Sequence, residues 1–207
     1  MLLCHNGNTS DCPRRRMTPT QLAINAARSS SLMTAFPEAL RSDVSVVADL
    51  IRGSDATHPG LPVIVRGESF NIPYRIHHDS DEMLFACLNE TQAIVYACVL
   101  TRHHDGHMRQ RQIERLVASS EPWVAPFVMQ LCGEYVIEIL DAIEAHLPSM
   151  DQHTYGAFFR ENSLFLQRTR DRMISYWDCY YRWLYKREHD YVGFRLFDRF
   201  REWSAAA

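Results

Sequence analysis

The sequence predicts a mainly α-helical protein that carries one β-hairpin, and three observations support this fold class. The chain has 207 residues, of which 46% are hydrophobic and 23% are charged, so it is long and apolar enough to bury a substantial core. Apolar residues recur at three- and four-residue steps through most of the sequence. Alternating apolar residues, which are typical of strands, occur only near residues 62–77. We therefore expect an antiparallel array of six to eight helices with one hairpin near 62–77.

The N-terminal region is predicted to contain a tail and then two helices. Residues 1–17 are polar and end in three arginines, which indicates a flexible tail, and residues 18–207 are predicted to form a single helical domain. Pro19 suits the first turn of a helix that extends to about residue 33. Pro37 begins a second helix with apolar residues on one face.

The hairpin is predicted from two short apolar segments on either side of a glycine. Residues 63–65 and 70–72 would form its strands, with Gly67 in the turn. Pro73 has no N–H to donate, so the second strand should lie at an edge. Because an isolated hairpin is only marginally stable in water, we expect it to pack against helices.

The chain from residue 89 onward is predicted to be helical. Asn89 and Gln92 have the spacing of a capping box, which predicts a helix from 89 to about 103. Asp105 is predicted to cap the helix that begins at Gly106. The most apolar stretch predicts one continuous buried helix over 122–147. Its expected core residues are Leu131, Tyr135 and Ile139.

The C-terminal quarter is predicted to contain helices over 150–161 and 163–186 and then a short amphipathic helix. The second of these helices is rich in aromatic residues. Four of its apolar residues at helical spacing are expected to form a core stripe, namely Tyr176, Trp177, Tyr180 and Leu184. The remaining aromatic residues are expected to contact the C-terminal segment or a partner, because Tyr, Trp and Arg are enriched at protein interfaces.

Charge and composition narrow the classes of function. A net charge of −3 provides no general attraction to nucleic acid or anionic membrane, and no apolar run is long enough to span a bilayer. The cysteines form no CxxC motif, and several lie in apolar stretches, which favours a reducing, cytoplasmic setting. The sequence has no glycine-rich phosphate loop, Rossmann fingerprint or Ser-His-Asp elbow. We therefore expect a cytoplasmic protein with a protein partner and no cofactor.

A polar cluster at a predicted helix–helix junction is the first candidate binding site. It contains Arg102, His103, His104, Asp105 and Arg109. Two helix ends at such a junction bring side chains and free backbone groups together, which favours ligand binding. The alternative is a structural loop whose histidines form hydrogen bonds to the helix ends.

Carboxylates on the predicted 122–147 helix form the second candidate site. Glu134, Glu138 and Asp141 share one narrow helical face. A carboxylate on a buried helix needs a partner, so we expect Glu134 and Glu138 to form a polar seam that receives arginines from neighbouring helices.

Two sequence resemblances bear on function, and the first implies an interaction module. The segment DGHMRQRQIERLV resembles the second half of a HEAT-type repeat. The segments RHHDG, PWVAPFV and GEYVIEIL resemble bacterial helical proteins without a known activity. These resemblances imply either a HEAT-like array or an irregular bundle, and a non-catalytic protein-interaction or scaffold function.

The second resemblance implies an alternative function. His78, the pair His104 and Asp105, and the distant Asp171 resemble the ligand pattern of the all-helical HD-domain metal phosphohydrolases. The resemblance implies that these four residues bind a divalent metal that activates water against a phosphoester. We expect His78 to lie too far from the junction to complete such a site. Outside this alternative, the sequence predicts no metal site and no catalytic residue.

Overall fold

The computed structural model describes residues 32–51, 60–78 and 81–206, which form a mainly helical fold with one antiparallel hairpin. The predicted fold class is therefore confirmed. The described part has nine α-helices: α1 (Arg41–Leu50), α2 (Glu90–Leu100), α3 (Gly106–Arg111), α4 (Ile113–Val117), α5 (Ala125–Leu131), α6 (Ile137–His146), α7 (Gln152–Glu161), α8 (Ser163–Tyr176) and α9 (Val192–Ala206). This count exceeds the expected six to eight because some predicted helices are divided. The predicted tail and most of the predicted 19–33 helix lie outside the described residues.

The hairpin consists of β1 (Leu61–Val65) and β2 (Glu68–Ile72) and confirms the predicted strands. Its two turn residues, Arg66 and Gly67, have φ angles of 51° and 81°, as a tight two-residue hairpin turn requires. Pro73 lies immediately after β2 rather than within it.

One asparagine fastens the hairpin to the helices. Asn162 lies between α7 and α8, and its side-chain amide pairs with the backbone of Ile64 in β1. The Ile64 N–H donates to Asn162 Oδ1 and Asn162 Nδ2 donates to the Ile64 carbonyl, each at 2.7 Å. The amide thus satisfies backbone groups on the edge of β1, as a neighbouring strand would.

The core is centred on α5, in which every residue is buried, and on the second half of α2. Phe36, which precedes α1, stacks on Phe127 of α5 with ring centroids 5.1 Å apart. α9 packs along α7, and Gly156 permits their close approach. A Cβ at Gly156 would lie 2.6 Å from the Trp203 carbonyl oxygen, so any larger residue would force the two helices apart.

Both helix starts predicted from capping residues are confirmed. The Gln92 N–H donates to Asn89 Oδ1 at 2.8 Å and the Asn89 N–H donates to Gln92 Oε1 at 3.3 Å, which completes a capping box on α2. The His107 N–H donates to Asp105 Oδ1 at 2.9 Å, so Asp105 caps α3 as predicted.

The prediction of one continuous helix over 122–147 is wrong. The chain leaves α5 at Cys132 and begins α6 only at Ile137. Gly133 lies against α8, where a Cβ would approach the Thr169 carbonyl oxygen to 3.0 Å. The break changes the direction of the side chains, so Tyr135 is 51% exposed rather than in the core, whereas the predicted burial of Leu131 and Ile139 is confirmed.

The predicted 163–186 helix also ends early. α8 stops at Tyr176, and one wider π-helical turn follows over Trp177–Tyr181. Trp177 is buried as predicted, but Tyr180 and Leu184 are exposed. The predicted core stripe is therefore wrong at these two positions, because the wider turn shifts the later residues away from the core, and Tyr176 is only half-buried.

Candidate functional site

The segment after the hairpin and the end of α2 meet through their backbones. Ile76 pairs with His103 in an isolated parallel bridge, in which the Ile76 N–H donates to the Arg102 carbonyl oxygen at 2.7 Å. This pairing brings Arg75 and two histidines next to the predicted junction, although some 25 residues separate the two segments in the sequence.

A buried ion-pair network surrounds Glu134, which lies in the break between α5 and α6. Arg75 Nη2 lies 3.1 Å from both carboxylate oxygens of Glu134, and Arg109 Nη2 lies 3.2 Å from Oε2. Arg109 Nη1 also donates to the carbonyl oxygens of His103 and His104, at 2.9 Å each. Arg109 therefore joins the carboxylate to the end of α2 and is buried from solvent.

Two further arginines lie beside this network. Arg102 and Arg172, together with Arg75 and Arg109, are called the arginine cluster below. Arg172 on α8 and Arg75 both contact the ring of Tyr74, with guanidinium carbons 5.1 and 5.6 Å from its centroid. Four cations therefore surround one carboxylate.

Arg102 is as deeply buried as Arg109, with 1% of its surface exposed. Its Nε donates to Thr101 Oγ1 at 3.1 Å, whereas its buried Nη2 has no hydrogen-bond partner among the described residues. Burial, together with the charges of the other three arginines, lowers the pKa of Arg102 to about 9 against the opposing effect of Glu134. The guanidinium is thus still charged at neutral pH.

Glu134 is ionised because the neighbouring arginines outweigh the effect of its burial. Burial by itself would raise the pKa of this carboxyl, but Arg75, Arg102 and Arg109 together hold it below its ordinary value. The sequence therefore correctly predicts that Glu134 receives arginines. It does not identify Arg75 and Arg172 as members of the same cluster, because they lie on a loop and a helix far away in the sequence.

Glu138 does not belong to this seam. Glu138 and Asp141 are exposed on α6, beyond the break that turns Glu134 inward. The prediction that Glu134 and Glu138 share one polar seam is therefore wrong, since it assumed an unbroken helix through both residues.

Four histidines lie at the junction. The rings of His78 and His103 meet edge to face at 4.9 Å, and those of His77 and His104 stack at 5.3 Å. The Asp105 N–H donates to His103 Nδ1 at 3.0 Å, so His103 Nε2 carries the proton that it donates to the His78 carbonyl oxygen, also at 3.0 Å. Burial lowers the pKa of His103, which is consistent with this neutral form.

The residues of the HD-type pattern are only partly brought together. The expectation that His78 lies far from the junction is wrong, since its ring contacts His103. His104 and Asp105 are exposed, the Asp105 carboxylate caps α3, and Asp171 is exposed on α8. Across the described ranges, no three His, Cys, Asp or Glu residues are grouped so that they could hold a metal ion.

A second surface feature follows α8. Tyr180, Trp183 and Leu184 are 58%, 76% and 57% exposed, and these three residues are called the aromatic patch below. Trp183 Nε1 donates to the Tyr180 carbonyl oxygen at 3.0 Å. Beneath them, the segment is fixed to the core by a hydrogen bond from Trp177 Nε1 to the Tyr185 carbonyl oxygen at 2.9 Å. Its apolar side chains are therefore presented to solvent from an anchored backbone.

None of the described helices is long and apolar enough to cross a membrane.

Comparisons with known proteins identify no family for this chain. No protein-family model, curated protein or solved structure matches it.

Proposed function

We propose that this chain is a non-catalytic protein-interaction or scaffold module whose partner docks on the aromatic patch. The observation that carries the proposal is the exposure of three large apolar side chains on one anchored turn. Large exposed apolar patches are uncommon on monomeric proteins and are typical of interaction sites. Tyrosine and tryptophan are also among the residues that contribute most binding energy at protein interfaces.

The charges around the aromatic patch are of both signs. Arg182, Lys186 and Arg187 lie within residues 180–187, and the acidic residues Asp178, Glu188 and Asp190 flank them. All six side chains are exposed, and Arg182 pairs with Asp178. We therefore propose a different protein as the partner, recognised mainly through an apolar pocket for Trp183 rather than through net charge.

The proposed setting is the reducing cytoplasm. Cys98 and Cys132 are buried free thiols, and burial raises the pKa of both, so they act as small apolar core residues. The metal-phosphohydrolase alternative has less support, because only His78 of its four residues is buried. His104, Asp105 and Asp171 are exposed, and the Asp105 carboxylate caps α3, so the four residues form no converging ligand set.

Site-specific photo-cross-linking in cells of the organism that produces the protein tests this proposal. A benzophenone amino acid would replace Leu184 in the aromatic patch or, as a matched control, Met83, which is 80% exposed elsewhere on the surface. We expect one protein to cross-link from position 184 and not from position 83.

The competing outcomes are distinguishable. Cross-links from both positions to the same proteins would show non-specific contact and would contradict the proposal. A cross-linked homodimer from position 184 would also contradict it, because the aromatic patch would then serve self-association. Enzymatic turnover of phosphoesters that requires metal would instead favour the alternative function.

A further inference from the structure

We infer that the arginine cluster is an oxyanion-binding site whose ligand is a phosphoryl group. This site is separate from the aromatic patch, and the inference does not rest on the proposed protein interaction. Its basis is an unbalanced set of buried charges. The charges of Arg75, Arg109 and Arg172 act on the buried Arg102, and Glu134 is the carboxylate that opposes them.

The hydrogen bonding of Arg102 shows which cation lacks a partner. Glu134 accepts hydrogen bonds from Arg75 and Arg109, but none from Arg102. Arg102 has only the Thr101 hydroxyl, and its Nη2 is buried without an acceptor in the part of the chain that the structure describes. Buried guanidinium groups are costly unless an anion offsets their charge, so a ligand oxygen would remove a specific energetic defect.

Other members of the arginine cluster lie nearer the surface than Arg102. The side chain of Arg75 is 16% exposed, and Arg172 and Tyr74 are partly exposed. Arg172 Nε is also buried without a hydrogen-bond acceptor among the described residues. An anion that enters beside Tyr74 would therefore meet Arg75 and Arg172 first and Arg102 below them.

The excess charge favours a phosphoryl group over a carboxylate. Four guanidinium groups and one carboxylate leave a local charge of +3, which a dianion balances better than a monoanion. Planar guanidinium groups also donate in pairs to phosphate oxygens. The ligand is therefore free phosphate or the terminal phosphate of a small monoester.

Calorimetric titration with inorganic phosphate at pH 7.5 and constant ionic strength tests the inference. We expect saturable binding to one site, with acetate binding about tenfold more weakly or not at all. Arg102→Met removes the charge and retains most of the volume, and we expect it to weaken phosphate binding by about 10- to 100-fold. Arg111→Met is the matched control, because Arg111 lies on α3 but is exposed and pairs with Glu82. Its affinity for phosphate should equal that of the wild type.

Two further arms complete the experiment. Arg102 makes no hydrogen bond to Glu134, so Arg102→Met removes an incompletely compensated buried charge rather than a hydrogen-bonded partner of an ion pair, and the variant should fold. If it does not, Arg172→Gln gives the same measurement at the outer part of the site. Phenyl phosphate distinguishes the two sources: tighter binding than phosphate identifies a monoester ligand, and weaker binding identifies free phosphate. Absence of saturable phosphate binding, or wild-type affinity in the folded cluster variants, would overturn the inference.

Discussion

Replacing Glu134 by glutamine should lower the free energy of unfolding more than replacing the carboxylate of Asp105 or Glu138. The substitution keeps the side-chain volume but removes the anion that faces Arg75, Arg102 and Arg109. It also places an amide N–H₂ group, a donor, where the carboxylate now accepts from guanidinium donors. The three cations, two of them buried, would then repel one another without an opposing charge.

The contacts of Glu134 set the size of the expected effect. Its side chain is 7% exposed and pairs with Arg75 at 3.1 Å and with Arg109 at 3.2 Å. Removing one partner of a buried ion pair typically costs about 3–5 kcal/mol, because the remaining charge stays buried. We expect a loss of this size, which is a large part of the about 5–15 kcal/mol that stabilises a typical folded protein.

The assay is urea unfolding followed by circular dichroism at pH 7, in a buffer without phosphate or sulfate. Glu138→Gln is the matched control, because Glu138 is four residues away but exposed. We expect it to change the free energy of unfolding by less than about 0.5 kcal/mol. If Glu134→Gln costs less than about 1 kcal/mol, or no more than the control, the ion-pair network does not stabilise the fold and the reasoning fails.

The pH dependence gives an independent check on the same residue. The arginines hold the pKa of Glu134 below its ordinary value of 4.5. Because the folded-state pKa is depressed, the stabilisation is complete above the unfolded-state value and is lost as the pH falls through the folded-state value. The stability difference between wild type and Glu134→Gln should therefore stay constant above about pH 5 and shrink below it.

Three further predictions test the fold and the capping residues. Leu131→Ala should lower the free energy of unfolding by about 2–5 kcal/mol, whereas Tyr135→Ala should lower it by less than about 1 kcal/mol. Equal losses would contradict the break between α5 and α6. Gly67→Ala should lower the free energy of unfolding by about 1–2 kcal/mol, because the φ of Gly67 is 81°, in the left-handed region, and Gly67→Asn should lower it by less. Thermal melts in which neither variant differs from the wild type would contradict the turn. Asp105→Ala should lower the free energy of unfolding by about 0.5–2 kcal/mol whether EDTA or Mn²⁺ is present. If metal raises the melting point of the wild type but not that of this variant, Asp105 binds metal instead.

The sequence predicts the features that depend on neighbouring residues. The capping box at Asn89, the cap at Asp105 and the turn at Gly67 each follow from side chains within a few positions. Such local hydrogen bonds and backbone preferences act in the same way whatever the rest of the fold does. For this reason these three elements begin or turn at the predicted residues.

The features that the sequence does not predict depend on distant contacts. The helix break after Leu131 arises where Gly133 contacts α8 and Glu134 turns towards arginines from other segments. The spacing of apolar residues predicts neither contact. This one error places Glu138 in the seam and Tyr135 in the core. Arg75 and Arg172 join the candidate anion site through tertiary packing, so their separate positions in the sequence give no signal of a shared role.

The dissociation constant of the protein that cross-links to position 184 tests the central claim most directly. The purified partner would be titrated with the wild type, with Trp183→Ala, and with Met83→Ala as the exposed control. Trp183 is the most exposed aromatic residue of the patch, and central tryptophans often contribute about 2 kcal/mol or more to binding. We predict that Trp183→Ala weakens binding by about 30-fold or more while Met83→Ala has no effect. Binding of the partner to Trp183→Ala within about twofold of the wild-type affinity would contradict the assignment of the aromatic patch as the docking surface.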